Sequence, residues 1–389
     1  MRIFVLGAGA TGSLLAQLLE RQGHTVWCGD REPERARRFL GKKSAIPLVE
    51  VNARNLWGIL RAGRGAQLLV NATASVFNEV VLRAALRLRA HYLDLSSHLT
   101  RHPFKAEQFR YASRFEAKNR VALINAGVAP GLTNLLVQRS AEMLTAVDSV
   151  RVYLYEDTES KDPISQWSPV VSFDEATSRP RVYREGRFHL EKRFGEPETF
   201  RFPDPVGAVR VVLAAQDEVA TLPHVIPMKN FEVKIGGNEI DRLRRWHRQG
   251  KLSRSRGIVS QRFPKTPTPR LVARLIRRGV LHNARFALAV IVRGMKNEQP
   301  LQIRWDGAFP TLYQIRQRGL FTTPIAFATA HMAALFIRHF PRDLAGVFAP
   351  ESLPPELRRE VLAGARSRDF RLSLKTTPLK PPDDEEFDL

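Results

Sequence analysis

Two rhythms of apolar and polar positions alternate along the first 130 residues. Met1–Gly7 (MRIFVLG) is a short apolar run with β-branched residues, which predicts a buried strand. Ser13–Gly23 (SLLAQLLERQG) sets Leu14, Leu15, Leu18 and Leu19 on one helical face, with Gly23 beyond the end. His24–Asp30 (HTVWCGD) predicts a second strand, closing on a carboxylate. The same alternation continues with strands over 45–53, 66–73, 91–97 and 121–131. Between them lie helical stretches at 32–40, 55–63, 78–90 and 111–120, and Pro33 suits a first helical turn. Strands at this spacing, each followed by a helix, predict an α/β, doubly wound parallel sheet of the Rossmann type over residues 1–130.

The rhythm changes after Asn134. A helix at 135–144 leads into an alternating strand, Asp148–Glu156. Shorter strands are predicted at 181–186, 198–202, 208–215 and 230–237, and helices at 238–247 and 268–277. Residues 284–294 and 300–305 read as a hairpin around Gly294–Gln299. Residues 131–320 therefore form a second, α+β domain for substrate and catalysis. C-terminal helices within 321–372, the first over 323–337, return to the Rossmann domain. The proline-containing acidic tail from 373 to 389 is expected to be disordered.

The first turn carries chemistry. Gly7, Gly9 and Gly12 form a G-x-G-x-x-G pattern between a strand and a helix. Gly7 permits the tight turn, Gly9 leaves room for a pyrophosphate, and Gly12 lets helix and strand approach. Ala10, Thr11 and Gly12 open the helix, whose free N–H groups suit a pyrophosphate. Asp30, eighteen positions after Gly12, is placed to accept from the ribose hydroxyls, and this favours NAD. Arg31 beside it keeps NADP open, through stacking on adenine or pairing with a 2′-phosphate.

Composition bounds the rest. The chain has 389 residues and a net charge of +22, with 61 basic residues. Of these, 48 are Arg, and they are densest over 242–278. Nucleic-acid binding is not expected, because no zinc, RNA-binding or aromatic-interleaved pattern accompanies the charge. The bland reading is a solvated basic face that favours anionic ligands. The single cysteine, Cys28, excludes an internal disulfide and reads as core. No metal-ligand spacing appears. No secretory signal or membrane-spanning run is found, so a cytoplasmic location and no membrane partner are expected.

Ligands of such sheets bind at the carboxyl ends of the strands. Asn71, Ala72 and Thr73 should lie near the nicotinamide ribose. Asp94 is a candidate for orienting substrate or accepting a proton, against the alternative of a cap or a hydrogen-bond network. Gly127, Pro130 and Gly131 build a turn, after which Asn134 either caps the next helix or contacts substrate.

Several stretches together resemble the saccharopine dehydrogenase family, particularly its lysine 6-dehydrogenase-like branch. They are GAGATG, LLVNATASVFNEVVLRAAL, HYLDLSS, INAGVAPGLTNLL, QWSPVVSFDEATSRPRVYREGR, DEVATLP and GVFAPESL. The resemblance implies hydride transfer between NAD(P) and a CH–NH group of an amino acid, imine or secondary amine. It also implies Thr221 as a substrate-contacting threonine, a site between the domains, and a homodimer. Asp217 and Glu218 are candidates for the substrate amine, with a helix-terminal acid as the competing reading. Trp167 is a candidate pocket wall. Asp94, Glu218 and Thr221 make up the catalytic set. Two departures separate the chain from the family: Ala129 stands where saccharopine-forming members carry an acid, and QDEVATLP matches neither branch. A dinucleotide-binding regulator without turnover is the alternative of another class.

Overall fold

The structure, a computed structural model, describes residues 1–99, 101–252, 266–366 and 370–379. Six parallel strands follow one another as the apolar runs predict: β1 (Arg2–Leu6), β2 (Thr25–Asp30), β3 (Leu48–Glu50), β4 (Leu68–Asn71), β5 (His91–Asp94) and β6 (Val121–Leu123). The sheet order is β6-β5-β4-β1-β2-β3, so the order reverses beside β1. Ile3, Val5, Leu68 and Val70 are fully buried, as strands covered on both faces must be.

A seventh strand completes this sheet from far along the chain. Gly346–Phe348 pairs in parallel with β6, Gly346 opposite Val121. Three residues carry no readable period, so no local pattern predicts this strand. Helix Pro324–Arg338 returns to the first domain as expected and packs on helix Ala10–Arg21. Twelve of its fifteen residues are buried. Among the described residues no helix is long and apolar enough to cross a membrane.

The second sheet is mixed and has nine strands. Its centre is Ala146–Ser160, flanked by Asn230–Gly236 in parallel and by Leu281–Lys296 antiparallel. Leu281–Lys296 turns back into Gln299–Ala308 through Asn297 and Glu298, both at positive φ. That is the geometry that matches a two-residue hairpin to strand twist. Arg371–Pro378 forms the edge strand next to Gln299–Ala308, from Ala308 opposite Arg371 to Leu301 opposite Pro378. This corrects the expected disordered tail as far as residue 379. Leu372 and Leu374 alternate with polar residues, and the exposed edge captures the backbone. The remainder, 380–389, lies outside the described residues, as does 253–265 of the basic stretch.

Trp305 joins this sheet to helix Leu132–Ala141. Its ring is 2% exposed and its Nε1 donates to Ser140 Oγ at 3.0 Å. Trp305→Ala removes the ring and leaves the Ser140 hydroxyl without its donor. It is expected to cost about 3–5 kcal/mol in denaturant unfolding; a loss under ~1 kcal/mol would show that the two layers do not depend on this contact.

Candidate functional site

The glycine turn is built as its spacing requires. A Cβ on Gly7 would meet Ala72 O at 2.7 Å, and one on Gly12 would meet Gly7 O at 1.9 Å. A Cβ on Gly9 would meet nothing within 4 Å. Gly7 and Gly12 are thus consumed by packing, while Gly9 faces open space at the start of helix Ala10–Arg21. No side chain caps that helix start, so Ala10, Thr11 and Gly12 present its first N–H groups. Asp30, half-buried, accepts from Ala8 N at 2.8 Å and from Glu32 N at 2.9 Å. It braces the turn from the end of β2, and each oxygen keeps a lone pair for a ribose hydroxyl. Arg31 is exposed and paired with Glu32 at 3.0 Å. These residues fit a dinucleotide.

The ends of β4 and β5 form one buried polar network. Asn71 donates to Asn78 Oδ1 (2.9 Å) and Tyr92 Oη (3.3 Å), and accepts from Thr73 N and Thr73 Oγ1. Its amide is fully engaged, so it shapes the turn holding Ala72 and Thr73. Asp94 accepts from Tyr92 Oη and Gln108 Nε2 at 2.9 Å and from Asn125 N at 2.8 Å. It is 1% exposed. Burial pushes its carboxyl up to about 7, against the pull of those three donors. Of the two readings of Asp94, the hydrogen-bond network is the one its contacts describe.

The junction brings distant stretches together. Asn134 Oδ1 accepts from Gly131 N at 2.9 Å, the capping role. Its Nδ2 donates to Thr221 Oγ1 (3.2 Å) and Glu351 Oε2 (3.0 Å). Gly131 sits at φ +131, and a Cβ there would meet Gly127 O at 2.0 Å. Gly127 and Pro130 close the same turn, Gly127 N donating to Pro130 O. Glu218 accepts from Thr133 Oγ1 at 2.8 Å, while its Oε2 is buried without a partner. Glu218 and Thr221 are both wholly buried, and desolvation pushes Glu218 up to about 7. Glu351, from the GVFAPESL stretch, was not among the candidates. A lone acid between two prolines gives no signal.

Asp217 faces the crevice instead. It is half-buried, accepts from Ser97 N at 2.9 Å, and so links the loop after β5 to the second domain. Burial raises it to about 6, although the Arg181 guanidinium pulls it down. Behind it stand Glu175, which accepts from Gln216 Nε2 at 2.6 Å, and Glu156 and Glu239. Glu156 and Glu239 are nearly inaccessible, and both are pushed up by burial; each disfavours ionisation of Glu156 or Glu175 beside it. Trp167, half-buried, lies against Glu156 and favours its charged form. Arg242 bridges Glu239 at 3.3 Å. Sequence reading found only Asp217 and Trp167 of this wall. Its other members are single acids in three separate elements. Among the described residues no His, Cys, Asp or Glu group is arranged to hold a metal.

Residues 3–123 match the family described as saccharopine dehydrogenase NADP binding domain. The first domain is thus similar to that family's coenzyme-binding domain. The whole chain shares the fold of apo saccharopine dehydrogenase (L-Glu forming) from Saccharomyces cerevisiae. The TM-score is 0.69 at 12% identity, covering 97% of this chain and 99% of that one. Two more distant likenesses are GenD2 from gentamicin A biosynthesis, in complex with NAD (TM-score 0.42, 12% identity, 98% and 97% covered), and a probable dehydrogenase from Thermotoga maritima (0.46, 9%, 97% and 98%). The match agrees with a dinucleotide site at the glycine turn.

Two outcomes follow from this geometry. Gly9→Ala leaves the melting temperature unchanged but weakens NADH binding at least tenfold, whereas Gly12→Ala lowers the melting temperature by several degrees; equal effects of the two would contradict the assigned roles. The buried acids set a pH dependence. Asp94 and Glu218 near 7, Glu107 near 8 and Asp217 near 6 all lie above their unfolded values. The stability they contribute is complete below about pH 4 and is lost as pH rises through 6 to 8. Glu218→Gln should therefore gain melting temperature relative to the parent at pH 8.5 more than at pH 5. An equal difference at both values would show that Glu218 does not titrate in this range.

Proposed function

We propose that the chain is an NAD(P)-dependent oxidoreductase acting on a carbon–nitrogen bond, with an amino acid, imine or amine bound between its domains. The observation that carries this reading is Asp217. Its carboxylate accepts from Ser97 N, and its other oxygen has no hydrogen-bond partner among the described residues. The wall behind it is acidic, with Glu175, Glu156 and Glu239 set against only Arg181 and Arg242. A cationic nitrogen is what such a wall accommodates best, because it relieves the mutual repulsion of desolvated carboxylates.

The bound dinucleotide supplies or accepts the hydride. The chain's own part is positioning and one proton. Asp217, near 6, is mostly ionised at pH 7, so it can hold an ammonium and take its proton as the nitrogen becomes an imine. Asn134 and Thr221 hold the turn that carries Asp217 and Glu218. On the coenzyme side, Asp30 and Glu32 put two carboxylates at the end of β2, and their repulsion of a 2′-phosphate supports NAD as the first coenzyme.

The test is nicotinamide absorbance of the purified protein with NAD⁺ or NADP⁺ against basic amino acids, secondary amines and, as controls, 2-hydroxy acids. Amine-dependent turnover is expected. Asp217→Asn should raise the amine KM about 10- to 100-fold, as loss of a charged hydrogen bond implies, with NADH affinity unchanged. Turnover on hydroxy acids alone, or an unmoved KM, would overturn the reading. NADH binding with no turnover on any of them would instead favour a non-catalytic regulator.

A further inference from the structure

The face of the first domain opposite the glycine turn holds a second cleft of about 430 Å³. It opens where β1 and β5 begin, and is lined by Arg2, Arg89, Arg120, Arg342, Gln67 and His91, over a floor of Ala66 and Leu88. The size lies within the range of small-molecule sites. The four arginines come from four separate stretches: the start of β1, the end of helix Asn78–Leu88, the residue before β6, and the loop after helix Pro324–Arg338. None of them forms an ion pair among the described residues. Arg120 is held in place by its Nε donating to Arg89 O and its Nη1 to Asn119 O. The side chains of Arg2, Arg89 and Arg342 make no hydrogen bond there.

Part of this charge has an ordinary explanation. Arg89 and Arg120 follow helix ends, where cations offset the helix dipole. Arg2 and Arg342 do not. Four uncompensated guanidinium groups around one concavity repel each other, and a bound anion removes that cost. The histidines register the same field. His91 is pushed down to about 4, by burial and then by Arg120 and Arg342, and His24 nearby is also lowered, in part by Arg342. His91 Nδ1 accepts the Val121 N–H at 3.1 Å, so the imidazole is fixed as the neutral Nε2–H tautomer, a further donor.

We propose that this cleft binds a compact polyanion carrying two or more phosphate or carboxylate groups, at a site separate from the dinucleotide crevice. Arginine forks suit both groups, since each offers paired oxygens in one plane or face. The loops that carry Arg89 and Arg342 line the cleft, and its volume of about 430 Å³ fits a small molecule. His91 opens β5 and Asp94 closes it, about 10 Å away at strand rise, so the ligand would sit on the strand that enters the polar network.

The probes are inorganic pyrophosphate and citrate, titrated calorimetrically into the full-length protein at low salt, with and without saturating NADH. The variant is Arg2→Gln/Arg342→Gln, both exposed positions outside the crevice, checked by unchanged melting temperature and NADH affinity. At least one probe is expected to bind in the presence of NADH, and the double variant should weaken it tenfold or more. The tighter of the two probes identifies the anionic group. Binding that NADH abolishes would place the anion on the glycine turn and overturn the proposal. So would binding that persists in the double variant, or no binding of either probe.

Discussion

Asn134 has two acceptor and two donor positions on its side chain and no access to water, so folding must bring a partner to each. The partners come from three parts of the chain: the Gly131 backbone of the junction, Thr221 of the second domain and Glu351 of the C-terminal return. A buried amide left half-bonded would cost on the order of 1–3 kcal/mol for each missing bond. The domains therefore cannot separate at this point without exposing or stranding the group. The strained Gly131 turn, the buried Thr221 and the burial of Glu351 are all consequences of closing this one set of bonds. The neighbouring residue Thr133 extends the same constraint to Glu218, whose second oxygen has no partner.

What the sequence revealed depended on whether a signal was local. The parallel strands and the glycine turn were legible because apolar runs and glycines state their roles within a few residues. Gly12 illustrates this: the tight approach its spacing implied is seen as the 1.9 Å clash a Cβ would make. The strand Gly346–Phe348 was not legible. It is three residues long, and only its pairing with Val121–Leu123 makes it a strand. Arg371–Pro378 failed for a related reason, since composition spoke for disorder while an open edge decided the outcome. The acidic wall was hidden in another way. Glu156, Glu175 and Glu239 stand on a strand and two helices, and single acids at such positions read as solvated until the fold turns them inward.

Asn71 and Asp94 show that a strand-end polar residue does not announce which way it faces. Both lie where the fold places ligands, yet both spend their hydrogen bonds on the protein. Their effect on a ligand is indirect: Asn71 fixes Thr73, and Asp94 with Gln108 fixes Asn125 and, through Ser97, the loop that meets Asp217. A continuous run of hydrogen bonds, its last link through Ser97 N, thus leads from Asn71 to Asp217. The coupling it allows is positional, because each member has one arrangement that satisfies its neighbours.

The charge distribution gives this arrangement a direction. The net charge of +22 comes from arginines spread over the outside, and it creates a long-range field that draws anions, a dinucleotide among them. At and behind Asp217 the sign reverses, since Glu175, Glu156 and Glu239 gather there within a protein otherwise rich in arginine. Those carboxylates are desolvated, so salt screens them far less than the outer charges. Raising ionic strength would then weaken coenzyme encounter while leaving the proposed amine recognition at Asp217 nearly untouched. The first attraction acts through solvent and the second through a largely desolvated cluster. A protein of the proposed kind, admitting an anionic coenzyme and a cationic nitrogen to one crevice, has reason to attract them by different means.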